Sequence, residues 1–562
     1  MIFTRNLYTR ARFALSIVVA LLALLAFAGK GISQGSVAST PRPESAELKK
    51  IIERIVAGEK AYVANLTRYS PRVETYLQYD RPDSVMGEEV TNDGYFLGRM
   101  SFRNRPEEIA FASPSRPKRV SKGFVLGTHL YIDRFASSTM VDAQSFDQQH
   151  YTFEVVGWEY LGDVHCLALD VHPRHKDMPG GFEGRIWVED QKYAIVRLNG
   201  IRINPPRFNF YVHFDSWRQN FRSGEWLPIY IYSEESDLRS KVRYKANTRL
   251  WGYDLSVARQ QDEWTKILVD APAPVRDTSD AGLDLSPVES KRLLEIKAER
   301  NVLERLEKAR LIAPPGPVDK VLETVLNNLV VTNHLENLPP LHCRVMLTSP
   351  LESFTLRYTI VVSRGLLDVL PDEASLAMVL AHELAHVALG HAIDTKYAFN
   401  DRLLLPDEKL LASLDLARTQ DEEYDADTKA VEFLMYSPYR EKLGNAGLFL
   451  RAAQDAAPRS PSLFGAHLGN RLSTGRGAVR MAALMGGAPA LNETKLDQIA
   501  ALPLGSRVVV SGWDGSATFP HRKATPLMNP SEKMPFQVTP VFPYLMRYED
   551  INSTKVAARQ PD

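Results

Sequence analysis

The sequence has little cysteine and no net charge, and each of these features excludes a class of protein. Only two of the 562 residues are cysteine, Cys166 and Cys343, which excludes a small scaffold held together by disulfides. Lysine plus arginine and aspartate plus glutamate number 68 each, so the formal net charge is zero. Because nucleic-acid binding needs a positive surface, this balance argues against a nucleic-acid partner. The two cysteines are expected as buried free thiols, with a bond between them as the alternative.

A long hydrophobic run is also missing. The most apolar segment, residues 13–28, has 16 residues, fewer than the ~20 that span a bilayer as a helix. Three arginines precede it and an Ala-Phe-Ala sequence ends it, which predicts a signal peptide over 1–28, with an uncleaved anchor as the alternative. A linker rich in Gly, Ser and Pro follows over 29–44. We therefore expect an exported protein, periplasmic or extracellular, whose membrane association is confined to this N-terminal segment.

The first half of the chain has the pattern of a β domain, assigned to residues 45–265. Apolar residues alternate with polar ones at 208–214, which is typical of a strand with one buried face. Two β-rich runs at 186–188 and 193–196 flank four polar residues, a hairpin pattern. A helix at about 45–65 precedes the sheet. Further strands are predicted at 94–102, 124–132, 152–160, 164–171, 226–232 and 241–251, and together they indicate an antiparallel meander.

The run from Phe182 to Asp190, followed by 193–197, resembles the lipoprotein-carrier (LolA-like) half-barrel superfamily. The resemblance implies a curved sheet that cradles acyl chains or a partner peptide. It lies in the pattern of strand and turn and brings no catalytic residues, so it is weak support for function. The alternative is a sheet that only docks on the next domain.

Helices dominate after residue 265. A helical connector is assigned to 266–317, where Ser286 and Glu289 form a capping box and the helix runs to about residue 311. A second helix, at about 318–333, is followed by two short strands at 343–348 and 356–363.

The segment 376–391 carries the chemistry, because it contains His382-Glu383-Leu384-Ala385-His386, an H-E-x-x-H motif. Residues four apart lie on one face of a helix, so both imidazoles can bind one metal ion. Glu383 lies beside them and can reach a metal-bound water as general base. The alternative, a helix with two structural histidines, is disfavoured because a third ligand is available.

An open catalytic zinc site takes three protein ligands and one water, and the acidic run 421–427 offers the third. Glu423 and Asp427 share a helix face beside the small residue Ala426, so this helix can approach the first closely. Glu423 is then the predicted ligand, and Asp427 is predicted to hydrogen-bond a ligand histidine. Glu422 is the competing ligand, about 100° away around the helix.

Several motifs together resemble the zinc metallopeptidases of the HtpX and CAAX-prenyl-protease type. They are Ser363-Arg364-Gly365-Leu366-Leu367, Ala381–Val387, His391 and Glu423-x-x-Ala426-Asp427. The resemblance implies one Zn²⁺ per chain held by His382, His386 and Glu423, with Glu383 as base. It also implies an edge strand within 355–363 that pairs with substrate, and it points to the exported soluble branch of the family.

One motif departs from that branch, which commonly has Ser-Thr-His-Pro after the glutamate helix. Here the matching stretch is Ser473-Thr474-Gly475-Arg476, followed by Arg480. The candidates to stabilise the transition state or gate the zinc are His467, Arg476 and Arg471, with a surface position as the alternative for His467.

The sequence therefore predicts an α+β multidomain protein. An N-terminal antiparallel half-barrel or meander precedes a mainly helical zinc metallopeptidase domain (318–490) and a small β-rich extension (491–562). The predicted activity is cleavage of peptide bonds in envelope or unfolded proteins by a zinc-activated water. The alternatives are a lipid- or lipoprotein-binding module with a non-catalytic zinc domain, and a latent protease. The partner is a protein or peptide substrate, and the oligomeric state is left open.

Overall fold

The structure, a computed structural model, describes most of the chain after its N-terminal segment. The described residues are 45–83, 87–103, 106–111, 138–142, 145–175, 178, 180–203, 213–236, 243–255, 287–391, 416–465, 468–473 and 479–491, with short pieces between 509 and 547. The predicted signal peptide and linker lie outside them. None of the helices in this described part combines the length and hydropathy of a bilayer span. Residues Ala46–Asp562 form one compact unit.

The first half of the unit is one helix and an antiparallel sheet, as predicted. Helix α1 spans Ser45–Leu66. The strands that follow it are β1 (Arg72–Asp83), β2 (Gly87–Ser101), β3 (Glu107–Ala110), β4 (Tyr151–Leu161), β5 (Val164–Pro173), β6 (Phe182–Glu189), β7 (Ile195–Arg202), β8 (His213–Arg222), β9 (Glu225–Ser236) and β10 (Arg243–Trp251).

All ten of these described strands join one sheet in the order β3-β2-β1-β10-β9-β8-β7-β6-β5-β4. Strands β4 to β10 form the predicted meander, and β1 returns to pair antiparallel with β10. One face of the sheet packs against Ile55 and Leu66 of α1. The opposite face buries Trp187, Trp217 and, from the C-terminal tail, Leu545. The sheet is thus buried on both faces.

The predicted hairpin is present as β6 and β7, with Tyr193 in the left-handed region (φ 60°) at the turn. The strand predicted at 124–132 lies outside the described residues. Most of the strand predicted from the alternation at 208–214 also lies outside the described residues, and β8 begins at His213.

The connector helix, α2, spans Pro287–Lys308. It ends about three residues before the predicted position because Arg310 adopts a left-handed conformation (φ 56°), which breaks the helix. The capping residue Ser286 lies outside the described residues.

The part of the chain predicted above to be the metallopeptidase domain, called the metallopeptidase region below, has its elements arranged around the H-E-x-x-H helix. They are α3 (Pro317–Thr332), β11 (His342–Met346), β12 (Glu352–Leu356), β13 (Thr359–Ser363), α4 (Arg364–Val369), α5 (Glu373–Leu389), α6 (Gln420–Met435), α7 (Leu443–Ala456), α8 (Pro461–Phe464) and β14 (Asn470–Arg471).

The small sheet of this region corrects two predictions. Where two strands were predicted at 343–348 and 356–363, the structure has three, because a turn at Arg357, which has a positive φ of 50°, separates β12 from β13. The sheet order is β11-β13-β12-β14. The predicted substrate-pairing edge within 355–363 is therefore wrong for β13, which pairs with β11 on one side and β12 on the other.

The two regions share buried surface. Tyr76 of β1 belongs to the same hydrophobic cluster as Leu380 and Leu384 of α5. Phe111, just after β3, clusters with Phe354 of β12. In the tail, β15 (Val509–Ser511) pairs with β16 (Ala517–Thr518) and β17 (Pro535–Phe536), in line with a small β-rich extension. Both cysteines are buried and free.

Candidate metal centre and active site

Helix α5 is built into the centre of the metallopeptidase region. Asp372 caps its N-terminus by accepting a hydrogen bond from the Ser375 N–H, 2.8 Å away. Gly390 ends it in the left-handed conformation (φ 71°), which glycine adopts without strain. Residues between these caps are apolar on nearly all sides and buried from Ala377 to His386. The two histidines and Glu383 therefore lie in the protein interior.

Helix α6 brings the acidic residues to α5. Thr419 and Glu422 form a capping box at its start, so the partly exposed Glu422 is engaged at the helix terminus. The next residue, Glu423, faces inward. Ala426 and Ala430 lie fully buried on the same side, and their small size permits close approach of the two helices.

Three buried groups converge between α5 and α6. Ligand atoms of His382, His386 and Glu423 all lie within 4.8 Å of one another. The two Nε2 atoms of the histidines are 3.2 Å apart. Glu423 Oε2 lies 3.2 Å from His382 Nε2, and Oε1 lies 3.8 Å from His386 Nε2. No other such group of three occurs among the described residues.

The spacing of these atoms fits a zinc ion. Two ligand atoms at ~2.0–2.2 Å from a tetrahedral centre stand about 3.3–3.6 Å apart, close to the distances observed here. Both carboxylate oxygens of Glu423 are buried, and Oε2 lies 3.1 Å from Arg480 Nε as well as 3.2 Å from His382 Nε2. A buried carboxylate is stable only beside positive charge, which Arg480, a protonated His382 or a bound metal ion supplies. Three protein ligands of the types N, N and O leave one position open, the pattern of a catalytic zinc site.

The other ring nitrogen of each histidine is also oriented. His382 Nδ1 lies 3.0 Å from Asp427 Oδ1, and His386 Nδ1 lies 2.9 Å from His391 Nδ1. The Asp427 carboxylate can only accept, so this contact favours the His382 tautomer whose Nε2 is free for a metal, and the His391 contact has the same effect on His386 when His386 Nδ1 is the donor. The structure thus brings Asp427 to the position that the helix spacing predicted.

The electrostatics of the centre act in opposite directions on the two histidines. Burial lowers the pKa of His382, but Asp427 and Glu423 outweigh it and raise the pKa to about 10. Burial, together with neighbouring cationic groups including His382, lowers the pKa of His386 to about 2. Without a metal the cluster therefore retains one proton, which a metal ion would replace.

Glu383 is fully buried, and its two oxygens are held by β12. The Ser353 hydroxyl donates to Oε1 and the Thr355 hydroxyl to Oε2, each at 2.6 Å. Both hydroxyls project from the same face of the strand, since they are two residues apart. The sequence analysis missed these two residues. The only available signal was their period-two spacing in a strand next to the motif helix.

Two arginines near the centre were also missed. Arg480 Nε lies 3.1 Å from Glu423 Oε2, and an Arg418 Nη2 donates to the Thr355 carbonyl at 3.0 Å. In the sequence, Arg480 is recognisable only as an arginine that follows the altered Ser473-Thr474-Gly475-Arg476 motif. The candidates His467 and Arg476 lie outside the described residues.

A small pocket of about 20 Å³ opens beside His382. Its wall includes the polar residues Ser353 and Arg480, and the rest is apolar, formed by Leu351, Leu366, Val379, Leu472 and Met481. The pocket therefore touches both a metal-site histidine and the strand that holds Glu383.

Comparisons with known proteins agree with this chemistry. Residues 318–406 match the model of peptidase family M48. The match contains His382, Glu383 and His386 and ends before Glu423, so the assignment of Glu423 depends on the geometry. A search of curated proteins finds no match to the chain.

Two solved structures give only weak likeness. A DUF1329 family protein from Desulfovibrio piger is 12% identical, with 36% of this chain and 95% of that chain covered and a TM-score of 0.17. A lipovitellin is 10% identical, with 70% and 44% covered and a TM-score of 0.13. Similarity at that level supports no conclusion about fold or ligand. The match of residues 318–406 to family M48 does support a conclusion about activity: this chain is a metallopeptidase, which is a hydrolase. The metallopeptidases of the matched family are zinc-dependent.

Proposed function

We propose that the protein is an exported zinc metalloendopeptidase that cleaves exposed or unfolded segments of envelope proteins. The observation that carries this proposal is the buried convergence of His382, His386 and Glu423 beside Glu383. A purely structural zinc site is closed by four protein ligands and has no need of the glutamate. Export and the envelope substrates follow from the N-terminal signal pattern and the family resemblance.

In this proposal each residue of the centre has a separate role. His382, His386 and Glu423 would hold zinc, which supplies Lewis acidity that polarises the scissile carbonyl and acidifies water. Asp427 fixes the orientation of the His382 ring from 3.0 Å. Glu383 takes a proton from the attacking water and delivers it to the leaving amine.

The variant Glu383→Gln tests the catalytic part of the proposal. The amide keeps the shape of the side chain and its contacts with Ser353 and Thr355 but cannot accept the proton. We expect kcat on unfolded casein to fall by about 10²–10⁴, with zinc content and thermal unfolding unchanged. Full turnover by this variant, in a preparation free of other proteases, would contradict the role of Glu383.

Export is tested separately by following the chain in the cells that make it. We expect processing near residue 28 and recovery of the mature chain outside the cytoplasm. Retention of the unprocessed chain in the cytoplasm would overturn the proposed location and leave the chemistry intact.

A further inference from the structure

The segment between β11 and β12 is held by the large sheet. Its Ser349 donates twice to Glu74 of β1, from the backbone N–H to Oε1 at 2.6 Å and from the hydroxyl to Oε2 at 2.9 Å. Arg249 of β10 donates to the Leu347 carbonyl at 2.9 Å and to the Ser349 hydroxyl at 3.1 Å. Two charged residues of the sheet thus hold one short segment of the metallopeptidase region.

Glu74 and Arg249 are a cross-strand pair. They lie directly opposite each other in the register of β1 and β10, and the Arg249 Nε donates to Glu74 Oε2 at 3.1 Å. The Tyr95 hydroxyl of β2 also donates to Glu74, at 2.7 Å. Glu74 is 1% exposed. A carboxylate buried so fully, with its hydrogen bonds made, has a fixed position and is costly to disturb.

The same segment is held from its other side by α4. Gly365 donates its N–H to the Thr348 carbonyl at 3.0 Å, and a Cβ at Gly365 would lie 1.7 Å from the Ser349 carbonyl oxygen. The Ser363 hydroxyl donates to the Pro350 carbonyl at 2.6 Å. With contacts on both sides, the segment has little freedom to shift.

Strand β12 begins three residues after Ser349 and carries the two hydroxyls that hold Glu383. The path from the sheet to the base is therefore short: Glu74 to Ser349, four residues of chain to Ser353, and one hydrogen bond to Glu383. A small displacement of Ser349 is passed to Ser353 because the intervening chain is short and is tied to the Ser363 hydroxyl at both the Pro350 carbonyl and the Glu352 N–H.

We propose that Glu74 and Arg249 are positioning residues for catalysis, acting through Ser349 and β12 on Glu383. The large sheet is then part of the active-site framework as well as a domain in its own right. This inference rests on the proposed function, in which Glu383 is the base. Displacement of a catalytic group by about 1 Å can cost 10²-fold in rate, so the effect is expected in kcat.

The sheet also supplies a matched control. Asp215 of β8 forms a bidentate pair with Arg197, at 2.8 and 2.7 Å, and is equally buried. The Arg197 guanidinium lies over the rings of Trp187 and Trp217 on the tail-covered face of the sheet. Asp215→Asn therefore breaks a buried ion pair of the same chemistry away from β12.

The test compares Glu74→Gln with Asp215→Asn in the full mature chain loaded with zinc. On fluorescein-labelled unfolded casein, below the unfolding temperature of both variants, we expect kcat of Glu74→Gln to fall 10- to 100-fold with KM and zinc content unchanged. Asp215→Asn should lose thermal stability and keep kcat. Equal kcat in the two variants would overturn the proposal.

Amide hydrogen exchange gives a readout that does not depend on turnover. Residues 352–356 should exchange faster in Glu74→Gln and at the wild-type rate in Asp215→Asn. Unchanged exchange there would overturn the positioning role, whereas a wild type without any turnover would overturn the proposed function alone. If Glu74→Gln does not fold, Ser349→Ala is used in its place. We expect its kcat to be 3- to 10-fold below that of the wild type and expect Ser349→Thr, which keeps the hydroxyl, to restore the wild-type kcat. Equal kcat for Ser349→Ala and the wild type would overturn the proposal.

Discussion

Charge is buried in two different ways in the two halves of this protein. Between the large sheet and α1, Arg218 donates to both oxygens of Glu59 at 2.7 Å, and each side chain is 1% exposed. Between α5 and α6, Glu423 is as deeply buried, but it has no such bidentate partner: Arg480 Nε lies 3.1 Å from Oε2, and the carboxylate otherwise faces the two histidines. Two histidine Nε2 atoms point at the same space from 3.2 Å apart.

The difference separates structural from functional burial of charge. A buried ion pair with its hydrogen bonds made needs nothing further, and its role is to fix the fold. A buried carboxylate and two imidazoles whose ligand atoms converge within 4.8 Å form the donor set of a metal ion, so the second arrangement marks a binding site. Changes in the first kind should alter stability without altering zinc binding, and changes in the second kind should do the reverse.

The largest stability effect is expected at Glu59. The variant Glu59→Gln leaves Arg218 buried without its counter-charge, which costs about 3–5 kcal/mol. Urea unfolding measures this loss. Zinc per folded chain should equal that of the wild type. A loss of zinc at temperatures where the variant is folded would contradict the claim that this ion pair serves stability alone.

Asp93 of β2 is intermediate between the ion pair of Glu59 and the metal-site carboxylate of Glu423, because its buried carboxylate is bound by backbone N–H groups. Its carboxylate accepts from the backbone N–H groups of Ser462 and Leu463, at 2.7 and 2.8 Å. Burial raises the pKa of Asp93 from 3.8 to about 6, against the lowering effect of those N–H groups. The folded protein therefore binds this proton more tightly than the unfolded chain does.

The stability that Asp93 contributes is complete below about pH 4 and is lost as the pH rises through about 6. Between pH 4 and 7, the unfolding free energy of the wild type should fall by about 2–3 kcal/mol relative to Asp93→Asn. Urea unfolding at several pH values checks this. A difference that stays constant, or grows, with rising pH would show that the proton is not bound on folding.

A smaller effect is expected at Asp427. The variant Asp427→Asn removes the charge that faces His382 Nδ1 and should weaken zinc binding 10- to 100-fold, about 1.4–2.7 kcal/mol. Titration against a competing chelator measures it. Glu422→Gln is the matched control on the same helix, because glutamine also serves in a capping box. Equal affinity in the two variants would remove Asp427 from the centre.

The parts of the site that the sequence predicted are those that follow from helix periodicity. His382 and His386 share a face because they are four residues apart, and so do Glu423 and Asp427. The sequence left Glu422 as the competing candidate for the third ligand, and the structure shows its carboxylate in the capping box with Thr419. In the sheet, alternation and turn residues predicted the meander and the β6–β7 hairpin. The pairing of β1 with β10 has no local signal, since it joins the two ends of the domain.

The contacts that hold Glu383 depend on tertiary packing and could not be predicted. Ser353 lies 30 residues from Glu383 and Glu74 lies 275 residues from Ser349, and nothing in either neighbourhood marks the other. The substrate edge was misplaced for a related reason. Strand order within a short sheet follows from crossovers, and Arg357, although it interrupts the apolar residues, is not a residue type that marks a turn between β12 and β13.

The most direct test of the account is zinc per chain, by elemental analysis, for the wild type beside Glu423→Ala. The account predicts about one zinc in the wild type and a site so weakened in the variant that little zinc survives dialysis against a mild chelator. Glu59→Gln, measured in parallel, should keep its zinc. Absence of zinc from the wild type after reconstitution, or full zinc in Glu423→Ala, would contradict the metal centre described above.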